Sequence, residues 1–397
     1  MRVRRRLRFI ALALLLVSST GVRSAADIAP NPLTGGRAIT PYGETATEVR
    51  MIAEDVTVRI YPDSIATVAV FSMHNEGERV DMEVGFPFSY PTDFVEFRAF
   101  VDGRRVEVRE ERQEIVEKKK TIVFWKLWSM SFDRDERREV RVEYRTAPML
   151  HPAVMLTEVG CESLGDDLRE AVRRATTMGT AEYYLESGKA WKGVLDGCRI
   201  SFELMGLSGA HIKEIWPKEG SAAENRIVWE YARFEPSGRV VLDYCPNMPV
   251  AEIPPFLLGV VARFPDHAPL ADRIGSALAS NFGRGDLLRE VYHRFLARWN
   301  DPIPQIMKYA SGGRCRVDYR AGNHFYTVWR MAAVLFADYK RTGELELGMD
   351  IAPTVSRICA AIVDSLETCE LPESDLPFLR NTKELMGVSE ALIRTPD

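Results

Sequence analysis

The residues best placed for catalysis are Asp318 and His324, six positions apart in the C-terminal third of the chain, with Cys315 just before them. An Asp–His pair can act as a general base, because the carboxylate orients and stabilises the imidazole that accepts a proton. Nearness in sequence does not bring two side chains into contact. Catalysis here is therefore a hypothesis, which requires both side chains to line one concave pocket.

Motifs that fix catalytic or cofactor geometry are missing from the sequence. There is no GxSxG elbow, no GxxxxGK[ST] phosphate loop and no GxGxxG following a strand. Zinc-type spacings such as CxxC and HExxH are also missing. The sequence therefore predicts no cofactor and no metal site, and it favours a non-enzymatic protein over an enzyme.

Five tryptophans lie in or near segments that look like strands, and aromatic faces can stack on sugar rings. They are Trp125, Trp128, Trp191, Trp216 and Trp229. Most strand tryptophans are core residues, and Trp125 and Trp128 point to opposite faces if their strand is regular. The pattern favours a core role over glycan binding, with at most one of that pair facing outward.

The six cysteines all lie after residue 160. An even count in an exported chain favours disulfides. Cys359 and Cys369 are not expected to pair, because ten residues of helix would hold their Cα atoms about 15 Å apart, whereas a disulfide needs under about 7 Å.

The first 26 residues have the layout of a signal peptide, which predicts a periplasmic or secreted protein. A basic start is followed by the apolar run Phe9–Val17 and by small residues ending at Ala26. The formal net charge is −5, and removing the six arginines of residues 1–26 leaves 46 basic and 57 acidic residues, a net charge of −11. Such a chain is a poor candidate for nucleic-acid binding. No later segment approaches transmembrane length.

The remaining chain predicts an α+β protein. Residues 27–47 form an irregular leader, and residues 48–247 alternate apolar and polar residues with a period of two, which is typical of an antiparallel β-sandwich. A helix is predicted within this region near residues 162–178. Beyond the prolines at 246–255 the period becomes helical, so residues 248–397 predict a C-terminal α-helical domain.

Short motifs in the β region resemble a loosely defined group of uncharacterised secreted bacterial β-rich proteins. They are Asn75-Glu76-Gly77 with Val84-Gly85-Phe86-Pro87, Tyr184-Leu185 with Gly188 and Trp191-Lys192-Gly193, and Trp229 with Glu235-Pro236. The resemblance covers about residues 50–245. It implies an exported β-rich domain and supplies no catalytic residue.

These observations favour an exported, soluble, non-enzymatic binding or scaffolding module whose partner is an envelope component, protein or glycan. One alternative is an envelope hydrolase with its active site between the β and helical domains. Another is a carrier of small apolar ligands, which would need an empty cavity between the sheets.

Overall fold

The computed structural model describes residues 29–30, 47–88, 94–116, 120–156, 161, 163–185, 191–235, 238–299, 307–309, 315–317 and 324–394. The predicted signal peptide (1–26), most of the predicted leader (27–47) and Asp318 lie outside these residues. His324 is the first residue of a helix, but its side chain is outside the described part.

The architecture is α+β, as the sequence predicts, with large sheets in the N-terminal part and helices in the C-terminal part. The strands are β1 (Ala29–Pro30), β2 (Val49–Ile60), β3 (Ile65–Asn75), β4 (Val80–Phe88), β5 (Phe94–Val101), β6 (Arg104–Arg105), β7 (Arg109–Val116), β8 (Lys120–Phe132), β9 (Arg137–Thr146), β10 (Met149–Pro152), β11 (Thr177–Tyr184), β12 (Leu195–Leu204), β13 (Ile212–Trp216), β14 (Ser221–Ala223), β15 (Arg226–Phe234), β16 (Arg239–Tyr244), β17 (Met307–Tyr309) and β18 (Cys315–Val317). The α-helices are α1 (Asp166–Ala175), α2 (Ile253–Arg263), α3 (Ala268–Phe282), α4 (Gly285–Arg298), α5 (His324–Thr342), α6 (Ala352–Glu367) and α7 (Leu376–Arg394).

The chain divides into two compact units. The first comprises residues up to Met149 together with Gly179–Asp243, and the second comprises Leu150–Met178 together with Tyr244–Asp397. Helix α1, which the sequence places within the β region, therefore belongs to the helical unit.

The first unit is built on an eight-stranded sheet with the strand order β14-β15-β12-β2-β3-β9-β5-β6. All its pairs with a defined register are antiparallel except β12 with β2, which run parallel. Strands β4, β8 and β7 form a second sheet that packs against it, because the Phe86 ring on β4 lies 5.5 Å from Phe97 and 5.2 Å from Tyr144. Strands β11, β16 and β13 are neighbours in a third sheet.

Strand alternation places the core of the first unit. On β2 the even-numbered residues from Glu54 to Ile60 are buried, and residues 55, 57 and 59 are less buried or exposed. A pleated strand sends successive side chains to opposite faces, so one side of the eight-stranded sheet faces the interior. That interior holds fully buried aromatic side chains, namely those of Phe71, Phe86, Phe132, Tyr183, Phe202, Trp128, Trp191 and Trp229.

The tight turn at Asp102-Gly103 has the conformation that its sequence predicts. The φ angles are 49° at Asp102 and 75° at Gly103, both in the left-handed region that a type I′ hairpin needs. The turn joins β5 to β6, with Val101 paired to Arg104.

The second unit has its own apolar core, to which all seven α-helices contribute. A buried polar cluster joins three of these helices. Asp272 of α3 accepts a hydrogen bond of 2.9 Å from the Tyr292 hydroxyl of α4 and forms an ion pair with Arg330 of α5. Burial lowers the pKa of Arg330 and raises that of Tyr292 to about 12. Within the described ranges, no helix is both long enough and apolar enough to span a bilayer.

Candidate binding face

Trp216, at the end of β13, is an exposed tryptophan of the first unit. Its exposed fraction is 50%, whereas the other six tryptophans of the chain are all buried. Trp125 and Trp128 are both among the buried six, so neither faces outward. An exposed tryptophan is informative because burial of its large apolar surface would be favourable.

A hydrogen-bonded cluster of polar side chains lies on β11 and β16, and β16 is the sheet neighbour of the strand that carries Trp216. The ring carbon Cη2 of Trp216 lies 3.9 Å from the position that a Cβ atom would take on Gly238, the residue before Arg239 of β16. Arg239 Nη1 donates to Glu182 Oε2 at 2.6 Å and to the Tyr184 hydroxyl at 2.9 Å. The Tyr184 hydroxyl in turn donates to Glu182 Oε2 at 3.1 Å.

The cluster continues along the same two strands, where Thr180 Oγ1 of β11 donates to Asp243 Oδ1 of β16 at 2.7 Å. We call Trp216, Thr180, Glu182, Tyr184, Arg239 and Asp243 the Trp216 face. Residues 180, 182 and 184 alternate with the buried Ala181, Tyr183 and Leu185. Strand periodicity therefore directs these polar side chains away from the core.

Burial and neighbouring charges shift the pKa values of two groups of the Trp216 face. The Glu182 side chain is only 7% exposed, and this burial raises its pKa, although the charge of Arg239 opposes the shift. Burial and the nearby Glu182 raise the pKa of Tyr184 to about 12. The Arg239 guanidinium carbon lies 5.7 Å from the centre of the Tyr184 ring, a distance at which a cation interacts favourably with an aromatic face. These side chains are therefore held in place before any ligand arrives.

Glu54 marks a second cluster, inside the sandwich. It is 2% exposed, and its Oε1 accepts a hydrogen bond of 2.5 Å from the Tyr183 hydroxyl of β11. The Cys198 thiol of β12 lies 3.7 Å from Oε2. Burial raises the pKa of Glu54 to about 7. Glu54 and Cys198 are also among the residues that line the open depression described next.

An open depression of about 360 Å³ is lined by residues of β2, β3, β12 and β15, among them Ala53, Glu54, Ser72, Gly197 and Cys198. Within it, Arg199 lies 3.7 Å from Asp55 and 3.3 Å from Glu230. No tryptophan is among its lining residues, so the depression is a weaker candidate than the Trp216 face.

The helical unit contains a Ser–His contact that resembles part of a hydrolase triad. His267 Nε2 lies 3.2 Å from Ser163 Oγ, while its Nδ1 accepts the backbone N–H of Leu270 at 3.2 Å. An imidazole that accepts at Nδ1 carries its proton on Nε2 when neutral. His267 therefore donates to Ser163 and is not poised to take its proton.

The structure places the sequence candidates as follows. Asp318 lies outside the described residues and His324 opens α5, so their predicted pairing stays a prediction. Another histidine, His293, has its Nε2 2.8 Å from Oδ1 of Asp350. Within the part of the chain that the structure describes, no three His, Cys, Asp or Glu side chains are grouped as a metal site requires.

Four cysteines are not part of a disulfide, namely Cys161, Cys198, Cys245 and Cys359. The expectation that Cys359 does not pair with Cys369 is confirmed.

Sequence reasoning missed the Trp216 face. The alternation of Thr180, Glu182 and Tyr184 was a signal for an outward polar row, but the contact between β13 and the start of β16 joins residues that are more than 20 positions apart. Periodicity within one strand does not show which strands become neighbours.

Comparison with known proteins identifies no family. No protein-family model and no curated protein matches the sequence. Among solved structures, a "putative nutrient binding protein" from Legionella pneumophila is similar with a TM-score of 0.38 and 11% identity, over 78% of this chain and 98% of that one. An M1 zinc metallopeptidase from Deinococcus radiodurans gives a TM-score of 0.24 and 9% identity, over 88% of this chain and 95% of that one. Yeast LTA4 hydrolase gives a TM-score of 0.28 and 8% identity, over 83% of this chain and 55% of that one. Likenesses at this level establish neither a shared fold nor a shared function.

Proposed function

We propose that the protein is an exported binding module whose binding surface is the Trp216 face. The observation that carries the proposal is the exposure of Trp216, half open to solvent while the other six tryptophans are buried, beside a pre-organised Arg–Glu–Tyr cluster. Tryptophan, tyrosine and arginine are the residues most enriched at binding hot spots. Side chains already held by their neighbours lose less entropy when a ligand binds.

The sequence supports the proposed location and class. The signal-like N-terminus favours export to the periplasm or beyond, and the lack of catalytic motifs favours binding over catalysis. Because His267 donates to Ser163 and cannot take its proton, the contact between them does not support a hydrolase. The large aromatic side chains that fill the sandwich give no support to an apolar-ligand carrier.

The test compares Trp216→Ala with Leu376→Ala. Leu376 is also 50% exposed but lies in the helical unit, so it controls for the loss of an exposed apolar side chain. The full-length mature proteins are immobilised, and binding of solubilised envelope material is followed by interferometry. We expect wild type and Leu376→Ala to bind equally and Trp216→Ala to lose at least about tenfold in affinity. Equal binding by Trp216→Ala and wild type would refute the proposal.

A further inference from the structure

We propose that the ligand of the Trp216 face is a neutral saccharide, an inference that rests on the function proposed above. A pyranose ring carries C–H groups on its faces and hydroxyl groups around its rim. It therefore needs an apolar plate bordered by polar groups. The Trp216 face offers both on neighbouring strands of one sheet.

The plate is the exposed indole of Trp216. An aromatic face carries partial negative charge, and it attracts the weakly positive C–H groups of a ring stacked on it. The ring lies against Gly238, which has no side chain to cover it on that side. A planar indole also loses little side-chain entropy when a sugar stacks on it.

The polar border can both donate and accept hydrogen bonds. Both described hydrogen bonds of the Arg239 side chain come from Nη1, so among the described residues Nε and Nη2 are available to a ligand. A carboxylate has about four lone-pair sites, and Asp243, which accepts one described side-chain hydrogen bond, from Thr180, therefore keeps acceptor capacity for a ligand. Since a sugar hydroxyl is both donor and acceptor, it fits such a border.

Charge separates neutral from anionic saccharides. The face carries two carboxylates and one guanidinium, and the chain without residues 1–26 is strongly acidic. A uronate, sulfate or phosphate group would meet a repulsive field. A neutral sugar avoids this cost, and its binding should change little with salt because no ion pair is formed.

The experiment measures binding of the full-length mature protein to an array of neutral and uronate-containing oligosaccharides and to free monosaccharides, at 50 and 500 mM salt. We expect neutral oligosaccharides to bind with little salt dependence. Trp216→Ala should lower the affinity at least about tenfold. Trp216→Phe, which restores an aromatic plate, should recover most of it.

Treated envelope extracts separate a failure of this inference from a failure of the proposed function. Periodate destroys vicinal diols of sugars, and proteinase destroys protein ligands. Loss of Trp216-dependent binding after periodate but not after proteinase supports the inference. The reverse pattern, or a preference for anionic sugars, would contradict the proposed neutral saccharide ligand. It would not contradict the proposal that the Trp216 face is a binding surface. Binding that does not depend on Trp216 overturns both.

Discussion

Replacing Glu54 by glutamine should remove a pH dependence from the stability of the β-sandwich. The carboxyl is buried, accepts a hydrogen bond from Tyr183 and has a pKa of about 7 in place of the ordinary 4.5. Glutamine has nearly the same size and keeps an oxygen acceptor for the tyrosine. The substitution therefore removes the ionisation and largely preserves the packing.

The magnitude follows from the difference between the two pKa values. Because the folded-state pKa is raised, the folded protein binds more protons than the unfolded chain between pH 4.5 and about 7. The stabilising contribution is complete below pH 4.5 and is lost as the pH rises through about 7. Each pH unit of difference between the two pKa values corresponds to about 1.4 kcal/mol. Between pH 4.5 and about 7, the free energy of unfolding of the wild type should therefore fall by on the order of 3 kcal/mol relative to that of Glu54→Gln.

Hydrogen exchange measured by mass spectrometry suits this test, because it reports the opening free energy of individual strands in a chain with two units. Peptides from β2 and β12 would be followed in both proteins between pH 4.5 and 8, after correction for the intrinsic exchange rate. The expected result is a wild-type minus variant difference in opening free energy that falls between pH 4.5 and about 7 and then levels off. Glu230→Gln, on the solvent-exposed side of β15, controls for the loss of one negative charge. A difference that stays constant with pH would refute the assigned burial of the Glu54 carboxyl.

Two further predictions concern the helical unit. Asp272→Asn should lower the free energy of unfolding of this unit by about 3 kcal/mol, because Arg330 would then be partly buried without a charged partner. Urea unfolding followed by far-UV circular dichroism measures the loss. An unchanged unfolding midpoint would contradict the buried ion pair. Non-reducing peptide mapping should find one intrachain disulfide, between Cys315 and Cys369, because the backbone N–H of Val317 on β18 donates to Asp375 at 2.9 Å and brings these segments together. A bridge that involves any other cysteine would contradict this assignment.

Much of the fold was readable from local periodicity. The alternation of Val56, Val58 and Ile60 predicts the buried side of β2 correctly, and continuing it backwards reaches Glu54. The same signal could therefore have identified the buried carboxyl. Its partners Tyr183 and Cys198 could not be predicted, because they are brought to Glu54 by sheet pairing and layer packing.

The helical unit shows a different limit. The prolines at 254 and 255 predicted a boundary, yet they occupy the first turn of α2, where the missing N–H groups have no intrahelical partner anyway. A helix was predicted near residues 162–178, and α1 occupies Asp166–Ala175 within that range. Its place in the helical core depends on contacts between Val172 and residues far along the chain, which periodicity does not encode.

Fluorine NMR of protein labelled with 5-fluorotryptophan tests the central claim most directly, because the seven tryptophans report separately and only Trp216 is exposed. Trp216→Phe assigns its resonance. On addition of a saturating neutral oligosaccharide, or of envelope material that the protein retains, we expect the Trp216 resonance to shift while the six buried ones stay in place. Binding that leaves the Trp216 resonance unmoved would contradict the assignment of this face as the binding surface.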